Sequence, residues 1–291
     1  MAELPGALKR TPREIALRAC STQLLLTRWA LEASALSAKE PAAAGFGALT
    51  EALAKTSITE HMTARERSLH KLDFGKWDVA EDIVGVQSRW ESFGMLAWAL
   101  RIVRDVPEYP NTFPHEQLYQ ATAVIPAFPN TIDMFVEYFT SGEGSKDGHL
   151  VTSAEFEDAV NRAEAWYWRS RAQMVLELKQ GLQGDSPEIR EARRKVPSGL
   201  RGVMDNIEKA ISQASQRALA DGLISESVDD DFAVAKGVAY RSLDDHGLRD
   251  MERMTESRLA ALGWLAGTEQ WEFERGEVKF INPLGSLWSA E

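Results

Sequence analysis

A single cysteine, Cys20, stands among the 291 residues. It has no partner for an internal disulfide, and one thiolate makes no metal site, so the chain reads as a protein of a reducing compartment, the cytoplasm. With no histidine beside it, Cys20 itself reads as a small core residue. Histidine is sparse as well. His61, His70, His115, His149 and His246 are scattered along the chain, and His61 and His70 would fall on different faces of a helix. No HExxH occurs: His115-Glu116 opens one, but Tyr119 stands where the second histidine belongs. The run Asp229-Asp230-Asp231 lacks the glycine and terminal glutamate of a calcium loop, so no metal is expected.

Other motifs are missing too. There is no GxxxxGK[ST] and no GxGxxG after a strand, which leaves no cradle for a nucleotide, and no cofactor is expected. Without a GxSxG elbow or a visible Cys-His pairing, no catalytic residue is assigned. The apolar runs, such as residues 93–100, fall far short of the roughly 20 residues that cross a bilayer. The opening MAELPGALKRTPRE has no apolar core of a signal peptide. We therefore expect no membrane association. The balance of 33 basic against 44 acidic side chains gives a net charge of -11, which repels phosphate backbones and anionic lipid. A nucleic-acid partner would need a local basic face, for which Arg190, Arg193, Arg194, Lys195 and Arg201 are the candidates.

What the chain does have is helix. QSRWESFGMLAWALRIVR, residues 87–104, places Trp90, Gly94 and Trp98 on one helical face, with Phe93, Leu96, Ala97, Leu100 and Val103 covering most of the rest. That pattern belongs to a helix buried nearly all round. Capping signals recur. Thr11-Pro12-Arg13-Glu14 opens a helix expected to reach about Ala38, Thr63-Ala64-Arg65-Glu66 another, Asp78-Val79-Ala80-Glu81 the buried one, and Thr152-Ser153-Ala154-Glu155 a long amphipathic helix. The last carries Phe156, Val160, Ala163, Tyr167, Ser170, Met174 and Leu178 at alternating spacings of four and three. Residues 42–47 read as a small-residue loop and 184–197 as a charged loop. Further helices are expected over about 202–220, with Val203, Ile207, Ile211, Ala214 and Ala218 inward, and over 244–266. Five prolines between Pro107 and Pro129 interrupt the helices, which makes 107–129 a candidate junction between lobes, with a short helix from Glu116 to Ala123. Residues 229–240 read as extended with a turn at Lys236-Gly237, and 271–280 as a hairpin turning at Arg275-Gly276.

Four segments, WESFGMLAWAL (90–100), AWYWRSRA (165–172), DDFAVAKGVAYRSL (230–243) and ESRLAALGWLAG (256–267), resemble in order and spacing the bacterial family known as domain of unknown function 4272. The resemblance runs from about Thr63 to Trp271 and implies architecture without an established activity. It frames residues 61–291 as a family-like helical domain and 1–60 as an N-terminal helical extension.

The fold class expected is mainly α, a multi-helix fold in two packed lobes with a small C-terminal β-hairpin. Charges set inside the apolar helices are the site candidates: Glu91, Arg169, Asp231 and Arg258, read either as a structural ion-pair cluster or as an anion pocket in which arginine binds and Glu91 pairs or acts as a base. Trp90, Trp98, Trp166, Trp168 and Trp264 are candidate packing or partner aromatics. Because Trp166, Tyr167 and Trp168 are consecutive, at least one ring is expected to face away from the helix's main core, to close on a neighbouring lobe or to meet a partner. The leading functional expectation is a non-catalytic protein-interaction protein of the adaptor, immunity or accessory type, binding another protein. The alternative is an enzyme or small-ligand binder with an arginine- and glutamate-lined anion pocket.

Overall fold

Thr11 starts the first helix as its sequence demands. In the computed structural model, which describes residues 7–35, 39–146, 148–273 and 275–281, the Thr11 amide donates to Glu14 Oε2 at 2.9 Å and the Glu14 amide to Thr11 Oγ1 at 3.2 Å. Pro12 takes the first position of α1 (Pro12–Ala35), where a missing N–H costs nothing. From Ile15 to Leu26 every residue of α1 is buried, which makes it a central helix.

Helix α2 (Lys39–Lys55) runs straight through residues 42–47, the expected loop. Ala42, Ala43 and Ala44 favour the helix, and Gly45 serves close packing there: a Cβ on it would meet Leu31 Cδ2 of α1 at 2.6 Å. A 3-10 turn (Ser57–His61) leads to α3 (Ala64–Lys71), whose capping box between Thr63 and Glu66 is complete.

The helix expected through residue 104 is broken into three pieces. Asp78 caps as predicted, accepting from the Ala80 and Glu81 amides at 2.8 Å each, but it opens a π-type turn (Val79–Ile83) that passes into α4 (Val84–Gln87). After Ser88, α5 (Arg89–Ala99) follows, with all its residues from Trp90 to Ala99 buried. Its end comes early because Arg101 adopts a left-handed conformation (φ 58°) and the Ile102 amide turns back to the Ala97 carbonyl at 2.9 Å. This is a helix stop usually made with glycine. The proline-rich chain then folds back over α5: a Cβ on Gly94 would lie 2.2 Å from the Phe113 ring, so glycine is what lets Phe113 seat there. Helices α6 (His115–Ala121) and α7 (Asn130–Thr140) follow, and α7 buries Ile132, Phe135 and Phe139 and packs on α1.

The described residues form two compact units. The first holds those up to Glu157 together with Ala260–Ile281; the second holds Asp158–Leu259. The division thus falls inside α8 (Ser153–Gly181) and α11 (Asp245–Leu265), and residues 107–129 lie wholly within the first unit, as do α1 and α2 of the expected N-terminal extension.

Thr152 caps α8 by its exchange with Glu155, and Phe156, Val160, Ala163, Tyr167 and Ser170 are buried as the periodicity requires. Met174 and Leu178, continuing the same stripe, are exposed. The charged loop expected at 184–197 contains a helix, α9 (Pro187–Lys195), opened by Ser186 accepting from the Ile189 amide; it buries nothing. Helix α10 (Ser198–Ala220) turns Ile207, Ile211, Ala214 and Ala218 inward, whereas Val203 stays exposed.

Next comes a three-stranded antiparallel sheet in the order β1 (Ser227–Val228), β2 (Asp231–Ala235), β3 (Val238–Ala239). Val228 faces Asp231 in register, so Asp229 and Asp230 are the two central residues of the connecting turn. Both have positive φ, 51° and 59°, the type I′ geometry that matches strand twist. Lys236-Gly237 makes the second turn as predicted, with Gly237 at φ 71°. In residues 271–273 and 275–281 the chain turns at Arg275-Gly276 but carries no strand, so the β structure sits at 227–239 and not at the expected C-terminal hairpin. The fold is mainly α with a small antiparallel sheet, in agreement with the expected class.

Candidate functional site

Two of the four candidate charges meet. Arg169, on α8, and Asp231, the first residue of β2, are both fully buried and form a bidentate pair: Nε donates to Oδ1 at 2.5 Å and Nη2 to Oδ2 at 2.8 Å. The Asp231 carboxylate also accepts from the Phe232 amide at 2.8 Å and from the Arg241 amide and Nε, each at 3.1 Å. Five donors therefore converge on two oxygens. Burial by itself pushes this carboxyl up, but the bonds and charge of Arg169, then those of Arg241 and the Phe232 amide, outweigh it and hold Asp231 below the ordinary aspartate value. Arg169 lies 4.3 Å from the Tyr240 ring centre and passes a third bond from Nη2 to Gln173 Oε1 at 3.1 Å; Gln173 in turn donates to Glu177 at 3.1 Å. Chemically this is a clasp closed on the carboxylate side, while Arg169 Nη1 stays buried without an acceptor. It fixes the sheet to α8 and leaves the carboxylate no lone pair for a substrate or proton.

Glu91 belongs to the first unit, where its Oε1 accepts from the Phe113 amide at 3.2 Å. Arg258 is fully buried on α11 in the second unit. Trp90 is buried, stacked on His115 (4.6 Å, 12°) and edge-on to Trp29 and Phe93. Trp98 is buried on α5. Trp166, Tyr167 and Trp168 are all buried, so no ring of the three faces solvent. Phe232 and Tyr240, contributed by the sheet and the turn after it, cover Trp166.

Sequence reasoning passed over a second set of charges. Arg28, Arg18 and Arg89 of the first unit, like Arg10 beside Trp264 and Glu14, lie against aromatic rings and beside glutamates. Arg28 donates to Glu32 on its own helix, with its guanidinium 4.3 Å from the Phe46 ring centre, while both Glu32 oxygens accept from the Gly75 amide. Arg18 pairs with Glu66 at 2.5 Å and sits 5.1 Å from the Trp271 ring centre. Arg89 pairs with Glu272 at 2.8 Å and also borders Trp271. Glu66 was legible only as a cap. That it also neutralises Arg18, 48 residues earlier, is a tertiary fact.

Trp264 and Trp271 stand edge to face at 5.6 Å in this region, and together with Leu17, Arg18, His61, Thr63 and Glu272 they line a cleft of about 430 Å³. Its rim acids are engaged: Glu14 by Thr11 and Arg10, Glu272 by Arg89 and Thr63. The bond from the Thr11 amide, helped by its hydroxyl and by Arg10, outweighs burial and holds the Glu14 carboxyl below the usual range. Two buried N–H groups on the lining side chains, Arg18 Nε and Trp271 Nε1, have no acceptor.

A group of exposed apolar side chains lies elsewhere in the same unit. Among the described residues eleven large hydrophobic side chains are exposed, and four of them fall within residues 125–138: Ile125 (47% exposed), Phe128 (61%), Met134 (64%) and Tyr138 (43%). Met134 and Tyr138 are one turn apart on the outer side of α7. The turn before α7 is held by one side chain: Thr131 Oγ1 accepts from the Ile125 amide at 2.9 Å and donates to the Phe128 carbonyl at 2.7 Å. Among the described residues no group of three or more metal-binding side chains is gathered, and no helix is long and apolar enough to cross a membrane. Of the candidate basic residues, Arg190, Arg193, Arg194 and Lys195 lie on α9 and Arg201 in the first turn of α10, with Arg193 and Arg201 bonded to backbone carbonyls.

Compared with family models, with curated proteins and with solved structures, the chain matches none. Residue roles therefore rest on geometry alone.

Proposed function

We propose that this chain is a non-catalytic protein-interaction protein of the bacterial cytoplasm, of the adaptor, immunity or accessory type, which docks an apolar surface of another protein on the outer side of α7 and the turn before it. The observation that carries the reading is the exposure of Met134 and Tyr138 on α7, whose other face is already committed to α1, together with Ile125 and Phe128 in the turn before it. Contiguous exposed apolar side chains on a monomer's surface mark interaction sites more often than scattered ones. The Thr131 clamp adds to this, because a turn fixed before binding loses little conformational entropy on docking. The saturation of Asp231 supports the non-catalytic part, since a carboxylate with five donors has no capacity for acid-base work.

The experiment uses the tagged full-length chain and the pair Phe128→Asp with Met134→Glu, both at exposed positions. Wild type is expected to capture one near-stoichiometric protein from a host extract, and the paired variant, with an unchanged circular dichroism spectrum and unfolding temperature, to capture none of it. Retention of the same partner by the variant would remove α7 as the site. A wild-type chain that elutes alone would remove the reading itself.

A further inference from the structure

The charges beside the exposed apolar side chains of α7 indicate what kind of protein docks there. From Asp105 to Ser145 the sequence carries Asp105, Glu108, Glu116, Asp133, Glu137 and Glu143 and not one lysine or arginine, although the whole chain holds 33. All six acids are exposed. His115, the one histidine of the stretch, is held below its ordinary value by burial, against the pull of Glu91, so it adds no positive charge at neutral pH.

Along α7 the acids and the apolar anchors form two parallel stripes. Asp133 and Glu137 lie one turn apart; Met134 and Tyr138, each the next residue, repeat that spacing about 100° further round the helix. Ile132, Phe135 and Phe139 point the remaining way, into the core. Glu143 has Lys146 and Asp105 has Arg104 as an ion-pair partner. Among the described residues Asp133 and Glu137 have none, and Glu137 accepts from the Ser141 hydroxyl at the end of its own helix. Tyr138 is set in place before any partner arrives: its ring stands edge-on to Phe139 at 4.9 Å, and a Cβ on Gly144 would meet it at 2.6 Å.

A partner for this face meets apolar side chains and uncompensated negative charge together. Another copy of the chain would bring its own net charge of -11, and a nucleic acid or an anionic bilayer would bring phosphate, so each is repelled. A basic amphipathic helix matches both stripes, with apolar side chains one turn apart on one side and lysine or arginine on the next. We propose that the protein docked on α7 presents such a helix, its apolar side on Phe128, Met134 and Tyr138 and its cations on Asp133 and Glu137. The proposal rests on the α7 docking surface and gives it a partner class. The exposed ion pairs set the choice of partner and the speed of encounter more than the affinity.

The probe is a fluorescent amphipathic peptide of leucine and lysine, titrated with the full-length chain at low salt and read by anisotropy. Its counterparts carry glutamate in place of lysine, or serine in place of leucine. The leucine-lysine peptide is expected to bind saturably and to weaken as salt is added, and both counterparts to bind about tenfold more weakly. Asp133→Asn with Glu137→Gln is expected to weaken it about threefold. Glu188→Gln with Glu191→Gln, the same change of net charge on the exposed α9, should leave it unchanged. Phe128→Ser with Met134→Ser, which removes apolar surface and no charge, should weaken it about tenfold. No saturation at submillimolar concentration, equal binding of the glutamate peptide, or equal loss in the two acid pairs would overturn the basic partner. Loss in the Phe128 and Met134 pair with none in the Asp133 and Glu137 pair would overturn it too, while leaving the α7 surface standing. The reverse pattern would remove α7 docking as well. Self-association of the free chain that Phe128→Ser with Met134→Ser abolishes would give the face to a second copy and overturn the proposal.

Discussion

The clasp of the second unit and the cleft of the first are built from the same residue types, arginine, a carboxylate and aromatic rings, and they differ in how completely the carboxylate is filled. Around Asp231, five donors meet two oxygens. Around Trp271, pairs form between Arg18 and Glu66 and between Arg89 and Glu272, yet Arg18 Nε and Trp271 Nε1 remain without acceptors. A carboxylate with its lone pairs filled is a fastener, and Arg169 Nη1 in the clasp stays without an acceptor just as Arg18 Nε does. Unmet donors therefore occur in both regions and do not separate them. The filling of the carboxylate does: five donors at Asp231 against an unpartnered Oε1 on Glu66.

The largest effect should come from breaking the fastener. Asp231→Ala leaves Arg169 buried without its counter-charge and should destabilise by about 3–5 kcal/mol in urea unfolding, whereas replacing Arg169 and Asp231 together by leucine should recover much of that loss. A double variant no more stable than Asp231→Ala would show that the pair is not the unit that matters.

Acid should distinguish the units next. His70 in the first unit is pushed down to about 4 by burial, helped by the nearby Arg28, and its Nε2 has no partner. Since its folded value lies below the ordinary histidine value of 6.5, the unfolded chain takes up the proton first as pH falls. Stability is then lost progressively from 6.5 towards 4, by on the order of 3 kcal/mol at most, and levels off below that. Asp231 is lowered from 3.8, so its contribution is fully present above that value and is lost only in stronger acid, as pH falls through its folded value. Hydrogen exchange at pH 7, 5.5 and 4.5 should therefore show the first unit loosening before the second. His70→Asn should remove most of that difference; a variant with the wild-type pH profile would assign it to another group.

The smallest effect concerns the orphan donor itself. Trp271→Phe deletes an N–H that bonds nothing and trims a buried ring packed on Trp264, Arg18 and Arg89, so its unfolding free energy should fall by only about 1–2 kcal/mol, from lost packing. A larger loss would mean that Nε1 has a structural partner, and the two regions would then differ less.

Much of the architecture was legible because helix starts and apolar periodicity are local properties. Thr11, Thr63 and Thr152 cap helices where the spacing of threonine and glutamate predicts, and Gly222 and Gly267, both at φ 70°, end them. The misreadings have local causes as well. Alanines flanking Gly45 resembled a loop until α1 required a close approach, and charged residues 187–195 resembled a loop because an exposed helix has no apolar stripe to announce it. Of the candidate site, the pair of Arg169 with Asp231 was visible as two charges in apolar surroundings. Arg241, Gln173, Arg18 and Trp271 were not, since nothing in their neighbouring residues tells which partner will face them.

The sequence by itself determined that this chain would be a mainly helical protein with most of its apolar stripes buried, because capping and periodicity act over a few residues and survive any tertiary arrangement. Only the tertiary structure decided that Glu66 answers Arg18, that Asp231 is saturated, that Arg18 and Trp271 are not, and that α7 keeps Met134 and Tyr138 in solvent. A hydrogen bond acts over about 3 Å, and which groups come within that reach of one another is settled by packing between segments far apart in the chain.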